Sequence, residues 1–267
     1  WIADGEIGDI METWKSTIGR VSFINCDPLF HGLGSEWNIL SAPPSWLTGH
    51  LLRNDCLMAP IPAADFADNC DDLMLIPDIG ISSRGEVGSV LLFGDRKIED
   101  MRDVAIPSDS STSVRLLEYL LAVRGCDPRL VLMGPDLETM LDRCDGALLI
   151  GDRALSAARE HPERVRMDLG SSWMDDTGYS MVFGVFAARK DTPLPTLKLA
   201  HKALIERLED FENDDSVRAE VINSSAEKTG QSHDRLQRYF GEVINRLESD
   251  DFLKSVCGMD SKPVRAW

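Results

Sequence analysis

The chain has 267 residues, enough for one large domain or two lobes, and its 43% hydrophobic and 27% charged residues exclude a disordered polymer. With 45 acidic against 28 basic residues the net charge is −17, which repels a phosphate backbone and excludes nucleic acid as a partner. A small anion remains admissible, because a few backbone N–H groups and one arginine make a local positive site.

Short apolar runs alternate with helical patterns over the first 190 residues, the order of an α/β fold. The first strand is expected over 21–25. Val21, Phe23 and Ile24 favour a sheet, and Asp27-Pro28 ends it, which leaves Asn25 at a strand exit, where open α/β folds hold ligands. A turn former would explain the same residue. Cys26 has no neighbouring base and reads as a buried thiol, whereas His31, the one histidine near this run, suits proton transfer. Strands are expected over 37–40, 56–60 and 73–77, with a helix over 44–53. The run from Gly80 to Ser89 then combines glycines that permit close approach with serine donors, and Ser89 leads into a strand expected over 87–93. A plain β-turn also accounts for Arg84-Gly85.

A strand over 103–106 precedes Ser108-Asp109-Ser110-Ser111-Thr112-Ser113, which opens a helix over 111–123 with an apolar stripe at Val114, Leu117, Leu120 and Leu121. Ser110 or Ser111 caps that helix, and its first N–H groups suit a carboxylate or phosphate; a solvated cap is the alternative. After a strand over 130–133 and a helix over 136–143, a strand over 146–150 meets a helix over 153–161 through Gly151-Asp152. Asp152 is read as the N-cap, a role that can coexist with substrate contact. A strand over 165–168 leads into Gly170 to Tyr179 and a return strand over 181–187; Trp173 in that segment can pack over an unsaturated ring, with a core or cleft-wall aromatic as the alternative. Helices over 196–211, 216–229, 233–247 and 250–257 then follow with no strand between them.

The six cysteines include no C-x-x-C pair and the five histidines no metal-spaced pair, so free thiols and no metal are expected. No apolar run approaches the ~20 residues of a membrane span. The start of the chain, with Asp4, Glu6, Asp9 and Glu12, lacks the basic and apolar regions of a secretory signal, which points to a cytoplasmic protein without membrane contact. Dinucleotide, P-loop and hydrolase-elbow glycine motifs are absent.

Taken in order, Gly19-Arg20-Val21-Ser22-Phe23-Ile24-Asn25, Gly85-Glu86-Val87-Gly88-Ser89-Val90, the serine run at 108–113, Leu149-Ile150-Gly151-Asp152-Arg153-Ala154-Leu155, and Asp168-Leu169-Gly170-Ser171-Ser172-Trp173 with Thr177-Gly178 resemble the menaquinone-biosynthesis family that contains chorismate dehydratase. The resemblance spans about residues 18–260. It implies a two-lobed α/β fold similar to the type II periplasmic binding proteins with a C-terminal helical layer, used for lyase chemistry in the cytoplasm. Residues 18–102 would form the first lobe, completed by 190–267, and 103–189 an inserted second lobe, with the active site in the cleft between them.

The family's reaction removes water from chorismate to give 3-[(1-carboxyvinyl)oxy]benzoate on the futalosine route to menaquinone, with no cofactor implied and with a monomer or homodimer as the working unit. Asn25 and Ser89 map to the catalytic positions. An amide is no proton acceptor, so Asn25 would hold the departing hydroxyl or the ring, and Ser89 a carboxylate or the same hydroxyl. Arg20, Ser22, Ser110, Ser111, Thr112, Asp152, Trp173 and Thr177 would contact the substrate. The base is open between the substrate's own enolpyruvyl carboxylate and His31. Cys26-Asp27 and the acidic segment before Ile18 depart from the family pattern, and the alternative is a non-catalytic binding protein for a small aromatic or enolpyruvyl carboxylate.

Overall fold

The computed structural model describes residues 13–247. Its first half runs β1 (Thr17–Val21), α1 (Asp27–Phe30), β2 (Asn38–Ala42), α2 (Pro44–Leu52), β3 (Ala59–Pro62), α3 (Ala63–Asp68), β4 (Leu73–Ser83), β5 (Val90–Gly94), β6 (Asp103–Pro107) and α4 (Ser111–Val123). It continues with β7 (Arg129–Met133), α5 (Leu137–Leu141), β8 (Gly146–Ile150), α6 (Gly151–Glu160), β9 (Val165–Asp168), α7 (Leu169–Thr177), β10 (Met181–Arg189), α8 (Leu194–Asn213), α9 (Asp215–Thr229), α10 (His233–Glu242) and β11 (Ile244–Leu247). None of the described helices is long and apolar enough to cross a membrane.

The strands form two main layers. One is a four-stranded sheet in the order β11-β4-β10-β3, flanked by the parallel pair β1-β2. Gly19 N–H to Met58 O and Leu57 N–H to Thr17 O, both 2.8 Å, tie β1 to the segment leading into β3. The other is a five-stranded sheet in the order β7-β6-β8-β5-β9. β4 ends and β10 begins side by side, Ser83 opposite Met181, so the two chain crossings between the sheets are neighbours. β5 is hydrogen-bonded between β8 and β9. Residues 90–94 therefore lie in the five-stranded sheet, ahead of the boundary expected at 102/103, because Val90–Gly94 is buried on both faces and needs a partner on each edge.

Each sheet has its own apolar layer. Leu197, Ala200, Leu204 and Leu208 recur at helical spacing along α8 and close over Met74, Ile76 and Phe186 of the first sheet and Ile18 of β1. Leu137 and Met140 of α5 and Ala154 and Ala157 of α6 cover Leu91, Phe93, Ala147 and Leu149 of the second.

Three sequence expectations are corrected. The strand expected over 21–25 stops at Val21, and Ile24–Cys26 is a 3-10 turn running into α1, where Pro28 in the first turn loses no hydrogen bond. The helix expected over 233–247 ends at Glu242; β-branched Val243 and Ile244 turn the chain into β11, which pairs antiparallel with β4. Ala63–Asp68 and Leu169–Thr177 are helices where none is expected from the sequence. The helix expected over 250–257, Cys257 and the acidic residues 1–12 lie outside the described residues.

Gly151, with φ +61°, starts α6 against the Phe23 ring, and a Cβ there would lie 2.5 Å from ring atoms. Gly151→Ala is expected to lower unfolding free energy by about 1–3 kcal/mol, seen as a lower denaturant midpoint at constant m-value. An unchanged midpoint contradicts this packing.

Candidate active site

The cleft between the two sheets is walled by residues from both. Val21, Phe23 and Asn25 enter from the end of β1, Pro60 to Pro62 from β3, Val87, Ser89 and Val90 from the loop into β5, Ser110 and Ser113 from the start of α4, and Ile150 and Gly151 from the β8–α6 junction. The walls are mostly apolar, so the few polar groups are the ones that can orient a ligand.

Asn25 sits in the 3-10 turn after β1 and is buried, with its backbone carbonyl accepting from Asn245 Nδ2 at 3.0 Å. Its Oδ1 has no hydrogen-bond partner. Leaving such an oxygen buried and unmatched costs about 1–3 kcal/mol, and a ligand donor in the cleft would remove that cost. Cys26 beside it is fully buried, and burial pushes its thiol up to about 12, so it is no nucleophile.

Ser89 is held from three sides. Tyr239 Oη donates to its Oγ at 3.1 Å, its own hydroxyl reaches Val87 O only at 3.4 Å, and its carbonyl accepts Gly151 N–H at 2.7 Å. The preceding loop is pinned by one carboxylate: Asp168 accepts Val87 N–H at 3.2 Å and Gly88 N–H at 2.8 Å, while capping α7 through Ser171 N–H at 3.0 Å. Burial raises the Asp168 pKa, and these three N–H groups oppose the rise. Gly88 (φ +67°) passes so close to the Arg235–Glu242 pair that a Cβ would meet Glu242 Oε2 at 2.3 Å.

Of the expected substrate contacts, Ser110 alone lines this cleft, capping α4 by accepting Ser113 N–H at 3.3 Å. The structure places the others outside its lining. Ser111 Oγ donates to Asp65 at 2.5 Å and Thr112 Oγ1 accepts Ala64 N–H at 3.0 Å, so both bind α3. Arg20 is committed to buried Asp27, which also accepts from Ser225 Oγ at 2.8 Å and Lys228 Nζ at 3.0 Å. Ser22 is exposed just beyond β1. Trp173 packs edge-on against Tyr119, centroids 5.4 Å apart, in a separate pocket, and Thr177 Oγ1 donates to Trp173 O at 2.7 Å in the last turn of α7. His31 faces Glu220 at 3.2 Å on the surface and is no part of the lining.

Asp152 is not the N-cap of α6, a place taken by Ile150, but sits in the first turn. Its Oδ1 accepts Ile24 N–H at 3.0 Å and so joins α6 to the turn that carries Asn25. Sequence reasoning missed Tyr239, Asn245, Asp168 and Arg153. Arg153 lies 5.5 Å from the Phe23 ring centre and pairs with buried Asp109 at 2.6 Å. Only Asp168 carried a local signal, an acidic residue ahead of a helix start.

Residues 16–252 match the model of a family described as menaquinone biosynthesis. The chain belongs to the menaquinone biosynthesis family. Within that family's reach, the chorismate dehydratase of Thermus thermophilus is 32% identical over 253 residues, covering 88% of this chain and 91% of that protein. Among solved structures, a protein from Archaeoglobus fulgidus superposes with TM-score 0.70 at 20% identity, covering 90% of this chain and 94% of that one. The alkanesulfonate-binding protein SsuA from Xanthomonas axonopodis, bound to MOPS, gives 0.66 at 15%, covering 90% and 89%. The periplasmic aliphatic sulphonate binding protein from Escherichia coli gives 0.60 at 16%, covering 86% and 84%. These likenesses establish that the family member has the two-lobed α/β fold of binding proteins. They also overturn the expected cytoplasmic location: a fold shared with periplasmic proteins means that free thiols and an acidic start do not assign the compartment.

Burial, the largest influence on Asp152, raises its pKa from 3.8 to about 6. The folded protein therefore binds this proton more tightly than the unfolded chain, and the buried charge costs stability that is recovered as pH falls through about 6 toward 3.8. Asp152→Asn keeps an oxygen for Ile24 N–H without the charge. It is expected to raise the denaturant midpoint relative to wild type near pH 8, and to lose that advantage near pH 4. A difference that does not vary with pH contradicts the assignment.

Proposed function

We propose that the interlobe cleft is where this family member removes water from chorismate to give 3-[(1-carboxyvinyl)oxy]benzoate, with Asn25 and Ser89 as the catalytic residues. The observation that carries this reading is the pairing, in one apolar cleft, of the unmatched Asn25 amide oxygen with a Ser89 hydroxyl whose only outgoing bond is long. The elimination takes a proton from C3 and hydroxide from C4 and leaves an aromatic ring. The reaction runs downhill, so the protein's task is alignment and help for the leaving group.

Asn25 can accept from the C4 hydroxyl through Oδ1 or donate to the departing oxygen through its NH2, and Ser89 can supply a second donor. Ser110 and the first N–H groups of α4, a helix of 13 residues, suit a carboxylate. With His31 engaged at the surface, the substrate's enolpyruvyl carboxylate is the proposed base. The working unit is proposed to be a monomer or a homodimer.

Purified protein mixed with chorismate, without added cofactor, is expected to consume the cyclohexadiene absorbance and form the benzoate product. Asn25→Ala should reduce kcat by roughly 100-fold or more with a melting temperature no lower than wild type, since it removes an unmatched buried oxygen. Chorismate that persists at high protein concentration contradicts the proposal. Release of pyruvate would redirect it to cleavage of the enolpyruvyl side chain, and equal loss of soluble protein and activity would make Asn25 structural.

A further inference from the structure

The segment formed by α10 and β11 contributes nothing to the lining of the cleft, yet it touches both proposed catalytic residues from behind. We infer that Tyr239 and Asn245 are positioning residues for the dehydration, Tyr239 directing the Ser89 hydroxyl and Asn245 fixing the backbone that carries Asn25. The inference rests on the catalytic reading of Ser89 and Asn25 given above.

Tyr239 is fully buried, its ring packed against Phe240 with Arg235 5.8 Å from its centre. Burial raises its pKa, so the phenol keeps its proton and acts toward Ser89 as a donor. A hydroxyl has one proton to give and two lone pairs. With one lone pair of Ser89 occupied by Tyr239 at 3.1 Å and Val87 O at the long distance of 3.4 Å, the serine proton is the least committed valence and can turn to a substrate oxygen in the cleft. Without the phenol, Ser89 could rotate to satisfy itself on nearby backbone.

Asn245 works on the other wall. It is buried in β11, and its single NH2 group donates to Asn25 O at 3.0 Å and to Gly80 O at 3.3 Å. The 3-10 turn that presents Asn25 is thereby fastened to β4. Ser89 stands at the entrance to the five-stranded sheet and Asn25 beside the four-stranded one, so one short stretch of chain, 239–245, sets the separation of two groups that must meet the same ring. Remote residues that act in this manner influence kcat through geometry, without touching the substrate.

Steady-state kinetics on double-mutant cycles test this. Tyr239→Phe removes one oxygen and keeps the ring; it is expected to lower kcat about 5- to 10-fold, with KM and melting temperature close to wild type. Because Tyr239 acts through Ser89, Tyr239→Phe added to Ser89→Ala should cost nothing further. Asn245→Ala should likewise lower kcat in wild type and have no added effect on Asn25→Ala, which keeps the inference testable on a second pair of residues. An active wild type with unchanged kcat in Tyr239→Phe and Asn245→Ala, or with losses that multiply in both double variants, overturns the inference and leaves the function standing. A wild type without turnover overturns both.

Discussion

The bond from Ile24 N–H to the Asp152 carboxylate, 3.0 Å long, is the constraint on which the site depends, since it fastens a helix of one sheet to the turn that leaves the other. The turn holds Asn25 and the helix start holds Gly151, whose backbone N–H in turn holds Ser89. The bond is maintained at a cost, because burial pushes the carboxyl up to about 6. A residue of this kind stabilises the fold poorly, and its value lies in the geometry it imposes across the cleft.

Two other aspartates repeat the pattern. Asp27 draws Arg20 of β1 together with Ser225 and Lys228 of α9, and Asp168 gathers the Val87-Gly88 loop onto the start of α7. Each carboxylate collects two or more donors from segments far apart in sequence, as a buried charge requires. The strongly acidic composition is therefore not only a solvated surface. Some of the carboxylates join loops that apolar packing alone would leave loose, while the Asn25 amide oxygen, at one of the two proposed catalytic positions, is left without a hydrogen-bond partner.

Local pattern revealed much of this architecture. The alternation of apolar runs and helices is what a two-layer α/β chain requires, and 146–150, 165–168 and 111–123 coincide with β8, β9 and α4. Side-chain direction was the illegible part. Ser110, Ser111 and Thr112 are consecutive, but each step around a helix turns by about 100°, so one faces the cleft while the next two face α3; only packing decides which. Trp173 and Thr177 fall in a helix to which the sequence pattern assigned no element, since Gly170, Ser171 and Ser172 are weak helix formers. β11 follows α10 after a single residue and exists because β4 offers it an edge. The contact between Tyr239 and Ser89 joins residues 150 apart in sequence, and no local signal could have announced it.

In physical terms, the protein surrounds a reaction that is already favourable with a mostly apolar cleft, in which Asn25 and Ser89 are the proposed hydrogen-bonding groups. The most direct measurement is a crystal structure of Asn25→Ala with chorismate bound. The ring is expected between Phe23, Ser89, Ser110 and Gly151, with its C4 hydroxyl toward position 25 and a carboxylate at the start of α4. Chorismate seated elsewhere, or in the cleft with C4 turned away from positions 25 and 89, would contradict the assignment.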